Sequence, residues 1–201
     1  GCTRNTVRRA LSMLADQMFV QPIHGKGVRV IWLKGETDML GALEEVESFG
    51  EFAKRNNAVA STEVKSFEHL ICTEQLSRRL GFKVGEELIR VVRVRSLNGN
   101  ARQVDHGYFL ASIAKGLTPE IAADSIYGYL EHKRGVKVMA SRRTVSVELA
   151  NDEDCSYLDL GKYNCVAVME SQSYTSDGIL FEVTHNRTHP EIFHYRVNSK
   201  R

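Results

Sequence analysis

The 201-residue chain has no uncharged run long enough to cross a bilayer, where a helix needs about 20 apolar residues. Its N-terminus has no apolar core of a secretory signal, because Arg4, Arg8 and Arg9 are spread among polar residues. Cysteine is scarce and scattered: Cys2, Cys72, Cys155 and Cys165 lie far apart, with no C-x-x-C. That spacing argues against a zinc ribbon or a disulfide framework and fits a reducing cytoplasm. Absent too are a phosphate loop, an HExxH pair, a G-x-S-x-G elbow and a nucleophile–base pair, so the chain does not read as an enzyme. His185 and His189 lie four apart, but in a strand and a turn with no third ligand, so neither a metal nor a cofactor is expected. What is present is a globular composition, 42% hydrophobic and 26% charged, too apolar for a disordered chain.

Charge is unevenly distributed. Residues 1–35 carry Arg4, Arg8, Arg9, Lys26, Arg29 and Lys34 against Asp16 alone, while the remainder is mildly acidic. A basic head on an acidic body suggests that only the head meets a polyanion; a solvated basic face is the alternative.

Thr3 to Asp16 reads as a helix capped by Thr3, with Val7, Ala10, Leu11 and Leu14 at the spacing of one buried face. Arg4, Asn5, Arg8, Arg9 and Ser12 lie opposite, and arginine and asparagine are the side chains that read base edges bidentately. Two short β runs follow, Met18–Val20 and Val28–Ile31, joined by a tip with two glycines around Lys26. Helix and basic hairpin together make the second half of a winged helix-turn-helix, although an amphipathic helix beside a surface hairpin has the same periodicity. The run Thr3-Arg4-Asn5-Thr6-Val7-Arg8-Arg9-Ala10-Leu11, followed by His24-Gly25-Lys26-Gly27, resembles the recognition helix and wing of GntR-family transcriptional regulators. The resemblance implies DNA contacts from Thr3, Arg4, Asn5, Thr6 and Arg8 on the helix, and from His24, Gly25, Lys26 and Gly27 on the wing. Such a motif needs earlier helices, so the expectation is a truncated winged helix-turn-helix that binds operator DNA poorly alone.

Lys34 to Asp38 is a polar break, dividing the chain into 1–34, a linker at 35–38 and a second domain at 39–201. That domain reads as α+β, one antiparallel sheet with helices. Helices are expected at Leu40–Arg55, Thr73–Leu80, from Thr118, at Ser125–Lys133, and from Asn151 to Gly161. Strands are expected at Val59–Leu70, Glu87–Leu97, Gln103–Leu110, Val136–Leu149, Val166–Thr175, Leu180–Arg187 and Phe193–Val197. Asn98-Gly99 supplies a hairpin turn.

Three places look chemical. Strand alternation puts Arg93 and Arg95 about 7 Å apart on an otherwise apolar face. They need an acceptor, either a ligand anion or internal carboxylates such as Asp105 and Glu182. A helix beginning near Ser48 would offer an anion site, or Ser48 is a cap. Asp124-Ser125-Ile126-Tyr127 opens a helix with hydroxyls in its first turn, where capping and core packing explain as much.

The stretches V-R-V-R-S-L-N-G at 92–99, V-D-H-G-Y-F at 104–109, G-L-T-P-E-I at 116–121, S-I-Y-G-Y-L-E at 125–131 and L-F-E-V-T-H-N-R at 180–187 resemble the UTRA effector domain of the HutC-type GntR branch. That resemblance implies a chorismate-lyase-like fold, a homodimer without a membrane segment, and operator binding modulated by a small acidic or phosphorylated metabolite. It maps effector contacts onto Ser48, Phe49, Gly50, Arg93, Arg95, Asp105, Ser125, Tyr127, Glu182 and Arg187. Within the branch the pattern is most similar to trehalose operon repressors, which implies trehalose 6-phosphate as effector. A chorismate-lyase-like enzyme would instead show turnover and leave the basic head without a purpose, and a stand-alone metabolite-binding module would not account for the recognition helix.

Overall fold

The computed structural model describes residues 1–31, 40–41 and 47–195. The break expected at 34–38 lies outside the described residues. The described residues form two compact units, one of residues 1–31 and one of residues 40–41 and 47–195.

In the first unit, α1 (Arg4–Asp16) starts where Thr3 accepts a hydrogen bond from the Thr6 amide. A hairpin of β1 (Val20–Ile23) and β2 (Gly27–Val30) follows. Its first strand begins later and its second one residue earlier than the sequence suggests, and its tip is tighter, because Gln21-Pro22-Ile23 pairs as strand. Gly25 and Gly27, at φ of 70° and 92°, take the left-handed conformations the turn requires. The face of α1 read as buried stays open among the described residues, with Val7 and Leu14 exposed.

The second unit is built on a six-stranded antiparallel sheet. Its strands are β4 (Ala60–Ile71), β5 (Glu87–Leu97), β6 (Asn100–Leu110), β7 (Val138–Leu149), β8 (Cys165–Thr175) and β9 (Leu180–Thr188), in the order β4-β5-β6-β9-β8-β7. The helices are α2 (Phe49–Arg55), α3 (Glu74–Leu80), α4 (Pro119–Ala123), α5 (Ile126–Arg134) and α6 (Asp152–Tyr157). None of the described helices is long and apolar enough to cross a membrane. Phe109, Ile89 and Val91 of the sheet pack with Leu80, Ala122, Ile126 and Leu130 of α3, α4 and α5. A second cluster joins Val92, Val104, Val166 and Val168 to Leu158 and Leu160, just beyond α6.

Three expectations are corrected. Leu40–Gly41 is not the start of a long helix but β3, a two-residue strand. It pairs in parallel with β10 (His194–Tyr195), so the segment expected to close the antiparallel sheet stands outside it. The helix instead begins at Phe49, where a reciprocal capping box between Ser48 and Glu51 satisfies the first-turn amides. The last helix stops at Tyr157 rather than Gly161, because Leu158 turns extended and enters the core.

Gly107 lies in β6 where a Cβ would come 2.6 Å from the ring of Phe109, which is fully buried. Gly107→Ala is therefore expected to destabilise the fold by about 1–3 kcal/mol, as other overpacked core sites do. Denaturant unfolding checks this; an unchanged midpoint would mean that the ring can yield.

Candidate functional site

Adjacent strands bring the site together. Arg93 on β5 stands opposite Asp105 on β6, and Asp105 stands opposite Asn186 on β9. Ser173 on β8 pairs with Glu182, and Ser171 with Thr184. The start of α2, with Ser48, Phe49 and Gly50, and the start of α5, with Ser125 and Tyr127, close over these strands. Between them lies a cavity of about 250 Å³, toward the small end of ligand clefts.

Its charges are unequally matched. Arg93 is 4% exposed and Asp105 fully buried. Both Arg93 and Arg95 donate to the same oxygen, Asp105 Oδ2; Arg95 does so through Nη2 at 2.7 Å and Nε at 3.1 Å. Arg93 also donates to the carbonyl of Ala122 at 3.3 Å. Arg93 Nε and Asp105 Oδ1 are buried without a hydrogen-bond partner among the described residues. The internal carboxylate is thus the acceptor that the sequence left open, yet one carboxylate serves two guanidinium groups. Burial drives the Asp105 carboxyl upward, but the two arginines outweigh it and hold the group below the usual carboxylate range. Arg95 also lies over the Phe49 ring, 5.0 Å from its centroid, which ties a cation to the first residue of α2.

The second carboxylate differs. Glu182 is pushed above the usual range by burial, partly offset by hydrogen bonds from Tyr127 and Ser173, with Asp105 adding like-charge repulsion. The Tyr127 hydroxyl donates to Glu182 Oε2 and lies 3.2 Å from Ser173 Oγ. Burial and then Glu182 raise that phenol well above its ordinary value, so Tyr127 acts as a hydrogen-bond donor. Ser48 and Ser125 both serve as helix caps, Ser125 accepting from the Gly128 amide at 3.0 Å.

Nine of the ten residues mapped by resemblance line this cavity: Ser48, Phe49, Gly50, Arg93, Arg95, Asp105, Ser125, Tyr127 and Glu182. Arg187 does not join them. It is five residues from Glu182 on an unbroken stretch of β9, so pleating points it to the other face of the sheet. There it donates to both oxygens of buried Asp154, to Glu148 and to the carbonyl of Leu149. Sequence reasoning missed Ser141, Arg143, Ser171, Ser173, Thr184 and Asn186, which also line it. The available signal was parity, since Thr184 and Asn186 share the Glu182 face and Ser171 and Ser173 pair across from it.

The residues read as DNA-contacting sit in the first unit. Thr3, Arg4, Asn5, Thr6 and Arg8 are exposed at the start of α1 and its cap, and His24, Gly25, Lys26 and Gly27 are exposed at the hairpin tip.

An antiparallel α+β sheet enclosing an arginine-lined, hydroxyl-rich cavity defines a small-molecule-binding domain. The UTRA domain family matches residues 55–194, and the chain belongs to that family. It is 30% identical over 195 residues to the HTH-type transcriptional regulator TreR of Bacillus subtilis (strain 168), covering 97% of this chain and 81% of that protein. The solved effector binding domain of the B. subtilis trehalose repressor TreR is 27% identical with a TM-score of 0.62, covering 70% of this chain and 98% of that one. The structure of the possible transcriptional regulator YydK from B. subtilis has the same fold at 22% identity, with a TM-score of 0.74 over 99% of this chain and 84% of that one. These relatives are transcriptional regulators and not enzymes. The fold expected from sequence, an antiparallel UTRA sheet with helices, is the fold found.

Proposed function

We propose that the chain is a repressor whose cavity binds a phosphorylated sugar, with trehalose 6-phosphate as the first candidate. The observation that carries this reading is the shared carboxylate: a buried and a half-buried guanidinium group both rest on one Asp105 oxygen at the cavity. A phosphate answers the second guanidinium group, and Arg95 over Phe49 holds that group at the start of α2, where the sequence offered an anion site. Asp105, Glu182, Tyr127 and Ser125 then face sugar hydroxyls, and the similarity to TreR favours a trehalose-derived ligand. The helix and hairpin of the first unit supply the contacts to operator DNA, in a homodimer acting in the cytoplasm. Effector and DNA binding are coupled, and each weakens the other by the same factor.

Calorimetric titration with trehalose 6-phosphate, trehalose and glucose 6-phosphate tests the reading. The phosphorylated disaccharide is expected to bind and unphosphorylated trehalose to fail. Arg95→Ala removes a charge-assisted contact and is expected to weaken binding by roughly tenfold to a hundredfold. Equal affinity for trehalose would show that the arginines do not read a phosphate and would end the proposal.

A further inference from the structure

We propose that Ser171 and Thr184, with Asn186 beside them, form a subsite that reads ligand hydroxyls and makes the cavity selective for polyhydroxylated anions. The inference deepens the sugar-phosphate reading and rests on it. Ser171 and Thr184 are cross-strand partners on β8 and β9, in the interior of the sheet, and each is only 7% exposed. Both line the cavity, and neither hydroxyl has a hydrogen-bond partner among the described residues. The next pair on the same face behaves differently, because Ser173 is engaged by Tyr127 and by Ser141. The opposite face of β8 carries fully buried Val166 and Val168, so these strands do accept apolar side chains.

The two hydroxyls open onto the cavity, so a bound group can take up their hydrogen-bonding capacity. Asn186 adds a further demand, since its Oδ1 is buried without a partner among the described residues. Serine and threonine hydroxyls both donate and accept, as a sugar hydroxyl does, whereas an alkyl chain offers neither role. Ser171 is three strands from Arg93, about 14 Å at the usual strand spacing. Arg143 on β7 stands directly across from Ser171 and also lines the cavity, so hydroxyls and a cation lie together at this end.

Calorimetry with trehalose 6-phosphate and hexyl phosphate, on the unaltered chain, on the Ser171→Ala/Thr184→Val double variant and on Arg95→Ala, tests this. Both replacements in the double variant nearly keep side-chain volume, and thermal melting verifies that the fold is retained. The double variant is expected to lose about tenfold or more for trehalose 6-phosphate and to bind hexyl phosphate as before, with each single replacement intermediate. If the double variant keeps its affinity for the sugar phosphate, or weakens both ligands equally, the subsite is wrong. Loss of both ligands in Arg95→Ala alone would then leave the anion-binding reading standing. If the unaltered chain binds neither ligand, the sugar-phosphate reading and the subsite fall together.

Discussion

Asp105→Asn is expected to lower stability by about 3–5 kcal/mol and the melting temperature by roughly 6–20 °C. The carboxylate is fully buried and is the shared acceptor of Arg93 and Arg95. An asparagine keeps the shape but leaves two guanidinium groups with no counter-charge from this position. Its pH signature follows from the folded pKa of Asp105, which lies below the ordinary carboxylate value of about 3.9. A depressed pKa means stability that is present above the unfolded value and lost as pH falls through the folded one. The acid limb of the melting curve should therefore flatten in the variant. An added anion should repair the defect: at a hundredfold excess over its Kd it returns about 2.7 kcal/mol. Sulfate or inorganic phosphate is expected to raise the melting temperature of Asp105→Asn more than that of the unaltered chain. If the variant melts normally in the absence of anions, the arginines do not depend on Asp105.

How this cluster forms was only half legible in the sequence. Alternation along β5 put Arg93 and Arg95 on one face, and Asn98-Gly99 marked the turn; both turn residues do take positive φ, 51° and 82°. Counting straight back from that turn would pair Arg93 with Val104 and direct Asp105 to the wrong face. The strands instead carry an irregularity after Arg95, so that Arg95 meets Gln103 and Arg93 meets Asp105. One extra residue flips the parity of everything beyond it, and no local pattern announced it. Asp105 was chosen as an acceptor for its charge, and a bulge delivered it.

The start of α2 shows the reverse case. Ser48-Phe49-Gly50-Glu51 has the spacing of a capping box, a local signal strong enough to begin a helix inside the range expected from Leu40 to Arg55. The pairing of Leu40–Gly41 with His194–Tyr195 joins residues more than 150 positions apart through two residues on each side, which no sequence pattern specifies.

Arg187→Met is expected to produce the opposite pattern to Arg95→Ala: a large loss of stability, about 3–5 kcal/mol, with sugar-phosphate affinity unchanged in the folded protein. Arg187 is 4% exposed and Asp154 fully buried, with bonds of 2.8–3.0 Å between them. Its hydrogen bonds to Asp154 and Glu148 raise the guanidinium above its ordinary value despite burial, so it stays charged at every working pH. The arginine ties three elements together: β9 through its own backbone, the first turn of α6 through Asp154, and the end of β7 through Glu148 and the carbonyl of Leu149. Methionine keeps most of the side-chain volume but strands Asp154 as a buried carboxylate, which retains only the helix-capping bonds it shares with Asn151. Replacing Asp154 by Asn in the same background should recover part of the loss, because the unpaired charge then disappears. The measurement is a pair of denaturant melts beside calorimetry on folded protein. An affinity loss in Arg187→Met at full folding would return Arg187 to the effector site, against the parity of its strand.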